Sequence, residues 1–259
     1  MLKKLSTIVV LLGLVALVFI FVYDTDTMKQ GRFVNKLVAR NIEARGGAEA
    51  WRAVETLRLT GKMDLGQGMI VPYVVEQKRP GKMRLEYIFN GETAVQSSDA
   101  NDKTGWKIMP FRGRTAPEPM TEQELRETGD SADPYGLLFD YADRGIDLEL
   151  QGRSAVAGRD AFKLKVTLPQ GAVRWLYLDA ETALEVKLEA LRTLAGRELR
   201  VETIYFDWQE VEGLLISRRQ ETRTDGDTEW HFLTVDGVNV NPLLDHSRFE
   251  MPVLADAKN

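Results

Sequence analysis

Four short runs between Ile146 and Leu191 alternate apolar with polar residues, and the connections between them are brief. Ile146, Leu148 and Leu150 alternate with Asp147 and Glu149. Phe162, Leu164, Val166 and Leu168 alternate with Lys163, Lys165 and Thr167. Val173, Trp175 and Tyr177 come next, and Leu184, Val186 and Leu188 close the series. A period of two sends successive side chains to opposite faces of a strand. The connections Ala157-Gly158-Arg159-Asp160, Pro169-Gln170-Gly171 and Asp179-Ala180-Glu181-Thr182 have turn compositions. Connections this short join only antiparallel neighbours, because a parallel pair needs a long crossover. The segment is predicted to be an antiparallel meander with one apolar face and one charged face.

The same texture flanks it on both sides. Leu57, Leu59, Met63 and Leu65 alternate with polar residues up to the turn Gly66-Gln67-Gly68. Met69 to Val75 is almost wholly apolar and contains Pro72, which points to an edge strand or a bulge. Met83, Leu85, Tyr87 and Phe89 share a face and stop at Asn90-Gly91, the strongest hairpin signal in the chain. Glu92 to Ser98 and Thr104 to Met109 make two more strands. Leu199 to Trp208, Leu214 to Arg223 and Thr228 to Val235 add three, for ten to twelve in all. They are interrupted once. Pro110 to Pro119 holds three prolines and is predicted to be a loop. Thr121 to Glu124 fits a capping box and predicts a helix from Glu122 to Glu127. Asp133-Pro134 predicts the start of a second helix, running through Leu137, Leu138, Phe139 and Tyr141.

Ahead of the strands, Phe33, Val34, Leu37, Val38 and Ile42 recur at helical spacing, with Arg32, Lys36, Arg40 and Glu43 opposite. This amphipathic helix of about four turns ends at Gly46-Gly47. It packs on the sheet or, its polar face being basic, lies on a membrane surface. Earlier still, Lys3 and Lys4 precede an uncharged run of 18 residues from Ser6 to Tyr23. As a helix that run is about 27 Å long, close to the thickness of a hydrocarbon core. It closes on Phe19, Ile20, Phe21, Val22 and Tyr23, without the small residues of a cleavage site. The expectation is an uncleaved single-span transmembrane helix, the alternative a cleaved signal and a soluble periplasmic protein.

Several chemistries find no support. The 259 residues contain no cysteine, which excludes disulfides, thiol catalysis and lipid attachment to a cysteine. A net charge of −5 counts against a nucleic-acid partner. His231 and His246 lack a nucleophile elbow, and Asp245 is His246's immediate neighbour, which rarely lets one orient the other. Asp225, Asp227 and Glu229 miss the glycine and final glutamate of a calcium loop. Neither a phosphate loop nor a cofactor motif is present. The reading is therefore non-enzymatic, with no cofactor and no metal. What remains is apolar surface on a large curled sheet. Either helices fill the interior and it is plain core, or a cavity remains for an apolar ligand.

Longer strings carry a resemblance. Asn41-Ile42-Glu43-Ala44-Arg45-Gly46-Gly47-Ala48-Glu49-Ala50-Trp51 runs on into Val54-Glu55-Thr56-Leu57-Arg58-Leu59-Thr60-Gly61-Lys62-Met63. Ala157-Gly158-Arg159-Asp160-Ala161-Phe162-Lys163-Leu164, then Trp175-Leu176-Tyr177-Leu178-Asp179, follow a glycine turn, a strand and a strand-ending aspartate. Val240-Asn241-Pro242 and Phe249-Glu250-Met251-Pro252 close the chain. Together these resemble the outer-membrane lipoprotein-sorting (LolA/LolB-like) proteins over most of residues 41–252.

The resemblance implies a mainly β protein with helices (α+β), in which a curved antiparallel sheet forms an unclosed β-barrel plugged by helices. It implies a hydrophobic cavity for acyl chains of lipoproteins or other lipids, on the periplasmic side of a bacterial inner membrane. Residues 1–27 would be the anchor, or signal segment, with its linker, and residues 28–259 the barrel domain. The candidate lipid-contacting residues are Met63, Tyr73, Met83, Tyr87, Phe89, Leu137, Leu138, Phe139, Phe162, Trp175, Tyr177 and Tyr205. The helix around Leu137 to Tyr141 would move to admit the chain. The uncleaved anchor departs from the family's soluble carrier, and the missing cysteine departs from its lipid-anchored receptor. A protein tethered through residues 6–23 would hand lipid to or from an inner-membrane transporter. The alternative is a sensor or scaffold subunit of an envelope complex built on the same fold.

Overall fold

A computed structural model of the chain describes residues 28–129, 134–194 and 196–253, so the expected anchor lies outside the described residues. Among them, no helix is long and apolar enough to cross a membrane. Helix α1 covers residues 28–44 and α2 covers Ala48–Arg52. Six strands follow: β1 Thr56–Asp64, β2 Ile70–Lys78, β3 Lys82–Phe89, β4 Glu92–Asp99, β5 Thr104–Met109 and β6 Arg114–Pro119. Helix α3, Glu122–Gly129, opens the crossing to seven more: β7 Asp147–Val156, β8 Arg159–Thr167, β9 Val173–Asp179, β10 Glu185–Leu194, β11 Arg197–Val211, β12 Leu214–Thr224 and β13 His231–Val240.

All thirteen strands belong to one curved antiparallel sheet, ordered β6-β5-β4-β3-β2-β1-β13-β12-β11-β10-β9-β8-β7. The chain therefore meanders outward from β1 to β6, jumps to the far edge at β7, and meanders back until β13 pairs with β1. Strands β6 and β7 are the two edges, and residues 120–146 run from one to the other. The barrel is unclosed along that seam. Asn90 and Gly91 both take positive φ in the β3–β4 turn, as their side chains lead one to expect.

Three expectations change. The proline-rich stretch after β5 is a 3-10 turn, Pro110–Arg112, followed by strand β6. An edge strand needs only one hydrogen-bonded side, so Pro117 and Pro119 are tolerated there. Pro72 lies in β2, inside the sheet. Pairing of β2 with β3 begins only at Tyr73, so Pro72 sits at a local edge. Residues 134–145 are a succession of turns, not a helix. Gly136, Asp140 and Gly145 all have positive φ, which no right-handed helix accommodates. Arg144 Nη1 donates to the carbonyls of Gly136 (2.7 Å) and Phe139 (3.1 Å), doing with a side chain what a helical ladder would do.

The core lies between the helices and the inner face of the sheet. Val34, Leu37 and Val38 of α1 pack on Leu164 and Val166 of β8 and Leu176 and Leu178 of β9, joined by Leu138 and Ile146 from the crossing. A second cluster gathers Trp51, Val54, Leu57, Tyr135, Phe139, Leu214 and Ile216. The end of α1 abuts the β11–β12 turn so closely that a Cβ on Gly46 would stand 2.1 Å from the Gly213 carbonyl oxygen. That approach, with φ at 114°, is why glycine stops this helix. On the outer face the tail crosses β1 to β5. Asn241 accepts from Glu55 N at 2.7 Å, and the Phe249 carbonyl accepts from Ser97 Oγ (3.1 Å) and Trp106 Nε1 (2.9 Å).

Candidate functional site

Register places the inner face residue by residue. Leu57 belongs to the core, and across the strands it aligns with Gln77, Met83, Ser98 and Gly105 in turn. The next row is Leu59, Val75, Leu85, Gln96 and Lys107, and the next Gly61, Tyr73, Tyr87 and Ala94. Toward β5 the inner face therefore becomes small and polar. Helix α3 lies over this end. A Cβ on Gly105 would be 2.7 Å from Leu125 Cδ2 and 2.9 Å from Met120 Sδ, so glycine is what lets α3 settle there.

Polar contacts hold α3 in place. Buried Lys107 donates to Glu124 and lies 3.5 Å from Glu118. The predicted capping box is formed: Thr121 N donates to Glu124 Oε2 at 2.9 Å, and Glu124 N donates to Thr121 Oγ1 at 3.3 Å. Burial alone would raise the Glu124 carboxyl, but the hydrogen bonds from Lys107 and Thr121 outweigh it and hold it below the usual range. From the same helix, exposed Gln123 donates to the Thr193 carbonyl on β10 at the surface.

A cavity of about 900 Å³ opens beside α3, at the end of the barrel where the crossing residues bridge the seam. Its walls are the β4–β5 turn with Ser98 and Lys103, α3 with Leu125 and Arg126, the crossing with Leu137, Arg144 and Ile146, and the β8–β9 turn with Leu168 and Pro169. The wall is apolar in Leu125, Leu137, Ile146 and Leu168, while the lysine and arginines stand among its polar groups. Ser98 is 4% exposed and its Oγ has no hydrogen-bond partner. Leaving a buried hydroxyl unpaired costs about 1–3 kcal/mol, which a ligand's polar group would recover. The volume falls in the range that encloses small organic ligands, about 300–1,000 Å³.

The twelve predicted residues fall into separate places. Leu137 alone lines this cavity. Leu138 and Phe162 belong to the core under α1, and Phe139 to the core around Trp51. Met83, Tyr73 and Tyr87 sit on the inner face. Tyr73 is buried and donates to the Thr234 carbonyl at 3.0 Å; burial, with the charge of Asp236 adding, pushes its phenol far up. Burial also raises Tyr87, against an opposing contribution from Arg112. Tyr87 and Phe89 pack on Phe111. Met63 pairs with Val71 and Leu233, and Tyr205 with Gln220. Trp175 and Tyr177 are a correction. They pack on the opposite face of β9, with Val156, Ala161 and Val186, while Leu176 and Leu178 turn inward to α1. The expected gate is a second correction, because Leu138 is 1% exposed core. The residues the expectation missed are Ser98, Leu125, Ile146 and Leu168. The last two open and close apolar runs in the sequence, and Leu125 is the apolar residue of the capping-box helix. Nothing in the sequence marks Ser98.

His231 Nδ1 lies 3.8 Å from Asp64, and His246 Nε2 lies 3.7 Å from Glu250, so the two histidines belong to different surroundings.

No family model and no curated protein matches the sequence. Solved structures do match in shape. A DUF1329 family protein from Desulfovibrio piger superposes with a TM-score of 0.57 at 13% identity, over 84% of this chain and 97% of that one. A LolA superfamily protein from Nitrosomonas europaea gives 0.57 at 12% identity, over 83% and 97%. A domain assigned to the outer membrane lipoprotein-sorting proteins, from Vibrio parahaemolyticus, gives 0.54 at 13% identity, over 82% and 94%. At these identities the likeness is one of fold. The chain has a LolA-like fold.

Proposed function

We propose that this protein is a periplasmic, membrane-tethered carrier that binds the acyl chain of a lipid or lipoprotein in the seam cavity and passes it to or from an inner-membrane transporter. The observation that carries the reading is the cavity itself, walled by Leu125, Leu137, Ile146 and Leu168 and placed between the β4–β5 and β8–β9 turns, beside α3. A chain threaded there would gain roughly 0.8 kcal/mol per buried methylene. The fold shared with a lipoprotein-sorting domain supports the reading, and the uncharged run Ser6 to Tyr23 supports the tether. The reaction is binding and transfer, with no bond made or broken.

The test is native mass spectrometry of the full chain released from gentle detergent, with extraction of anything bound. Stoichiometric lipid is the expected result. Leu125→Glu and Leu137→Glu each place a charge in the cavity wall and are expected to abolish that lipid while leaving the circular dichroism unchanged. An empty wild-type protein that takes up no acyl probe would overturn the carrier reading in favour of an envelope scaffold.

A further inference from the structure

The outward face of α1 is cationic. Lys29, Arg32, Lys36 and Arg40 are all exposed, and Glu43 is the one acid in residues 28–44. Their spacing of three and four makes a single stripe along the helix, opposite Val34, Leu37 and Val38, which are buried against the sheet. The stripe stands out in a chain whose net charge is −5. At its beginning Met28 faces solvent at 52% exposure, and Phe33, packed edge-on against Phe162, keeps 38% of its surface exposed.

What precedes α1 in the sequence says what lies against it. The uncharged run ends at Tyr23, and only Asp24 to Thr27 separate it from Met28. Five peptide steps reach at most about 17 Å. A span ending at Tyr23 therefore holds the first turn of α1 within about two Debye lengths of the headgroups at physiological ionic strength. Cations facing outward from a helix with exposed apolar residues at its start suit an interfacial position on anionic lipid.

We propose that the outer face of α1 docks on the anionic lipid surface of the membrane that holds residues 6–23, and so sets the orientation of the barrel on that membrane. The inference rests on reading residues 6–23 as an anchor; it does not depend on what the seam cavity binds. One helix then serves two surfaces: its apolar stripe plugs the sheet and its basic stripe meets the headgroups.

The absence of cysteine gives a clean probe. Ala39→Cys places a single thiol on the exposed face between Lys36 and Arg40. Thr228→Cys, in the exposed β12–β13 turn, is the control. Each full-length variant, carrying a fluorophore, is reconstituted into vesicles of phosphatidylcholine alone or with about one-third phosphatidylglycerol, and quenched with neutral acrylamide. The expected result is severalfold weaker quenching at position 39 in the anionic vesicles only, with position 228 equally quenched in both. Protection is expected to disappear at high salt, where the Debye length is about 3 Å. It is also expected to disappear when Lys29, Arg32, Lys36 and Arg40 are all changed to Gln. Equal quenching of position 39 in both lipids, in protein that floats with the vesicles after a salt wash, overturns the docking and leaves the anchor standing. Protein that leaves the vesicles in the wash overturns the anchor and this inference with it, while leaving the cavity reading to its own test.

Discussion

Helix α1 lies on an inner face built from Leu164, Val166, Leu176 and Leu178, none more than 3% exposed, whereas α3 lies on one built from Ser98, Gly105 and Lys107. The first contact is made chiefly by apolar side chains. The second rests on one leucine, an ion pair, a capping box and the hydrogen bond from Gln123 to Thr193. Burying a leucine is worth about 1.5–3 kcal/mol, while a partly exposed ion pair is worth about 1 kcal/mol or less. The two covers therefore differ in how readily they lift. If the protein is a carrier, the lightly held cover is the side on which a ligand would enter, and the seam cavity lies on that side.

The sharpest test of that difference sets two charge insertions against each other. Leu138→Glu buries a carboxylate without a partner in the α1 cluster. It is expected to cost more than about 4 kcal/mol, enough to prevent a cooperative melt. Leu125→Glu on α3 is expected to leave the melting temperature within a few degrees while ending acyl uptake. A Leu138→Glu protein that melts like wild type would erase the distinction between the two helices. Truncations ask the same question more gently. Leu37→Ala is expected to cost about 2–5 kcal/mol by denaturant unfolding, and Leu125→Ala about 1 kcal/mol because its site is only partly buried. Equal losses would show that α3 is as much part of the core as α1.

Strands and helices on both sides of that difference were legible in the sequence. Alternation in Phe162 to Leu168, with short turns on either side, is enough to place β8 and its neighbours. The Thr121 to Glu124 spacing is enough to place α3, and β5 has the bounds expected of it. The failures have physical causes. In β9 both faces are apolar, Trp175 and Tyr177 on one and Leu176 and Leu178 on the other. Alternation cannot say which face meets a helix; α1 decides that. Residues 134–145 read as a helix because Asp133-Pro134 precedes an apolar run, yet Gly136, Asp140 and Gly145 turn the chain back on itself. The cavity was the least legible part. It is assembled from residues far apart in sequence, such as Ser98, Leu125 and Leu168, which the seam alone brings together.

The latch on α3 gives a smaller effect with a definite sign. The folded-state value of Glu124 is depressed, so its contribution is present above the ordinary carboxylate range and is lost as pH falls through the depressed value. Acyl-probe uptake is expected to be independent of pH between neutrality and about pH 5, and to quicken below about pH 4, the ordinary glutamate value being about 4.3. Lys107→Gln is expected to quicken uptake at neutral pH and to flatten that acid rise. The difference between variant and wild type isolates this pair from the other carboxylates that titrate in the same window. An unchanged acid rise in the variant would mean that Glu124 does not hold the cover.

The smallest expected effect is the most local. Thr121→Ala removes the side-chain half of the capping box, and loss of such a cap costs about 1 kcal/mol of helix stability. In α1 a loss of that size would spread into the global unfolding free energy, because the helix shares one cluster with β8 and β9. In α3 it is expected to stay within the cover. Hydrogen exchange of the Leu125 amide, which donates to the Thr121 carbonyl at 3.0 Å, should accelerate about fivefold, while amides of β8 exchange as in wild type. Acceleration shared by both would mean that α3 opens only when the whole barrel does. Acceleration confined to α3 would show that the cover opens by itself, which is what entry of a ligand at the seam requires.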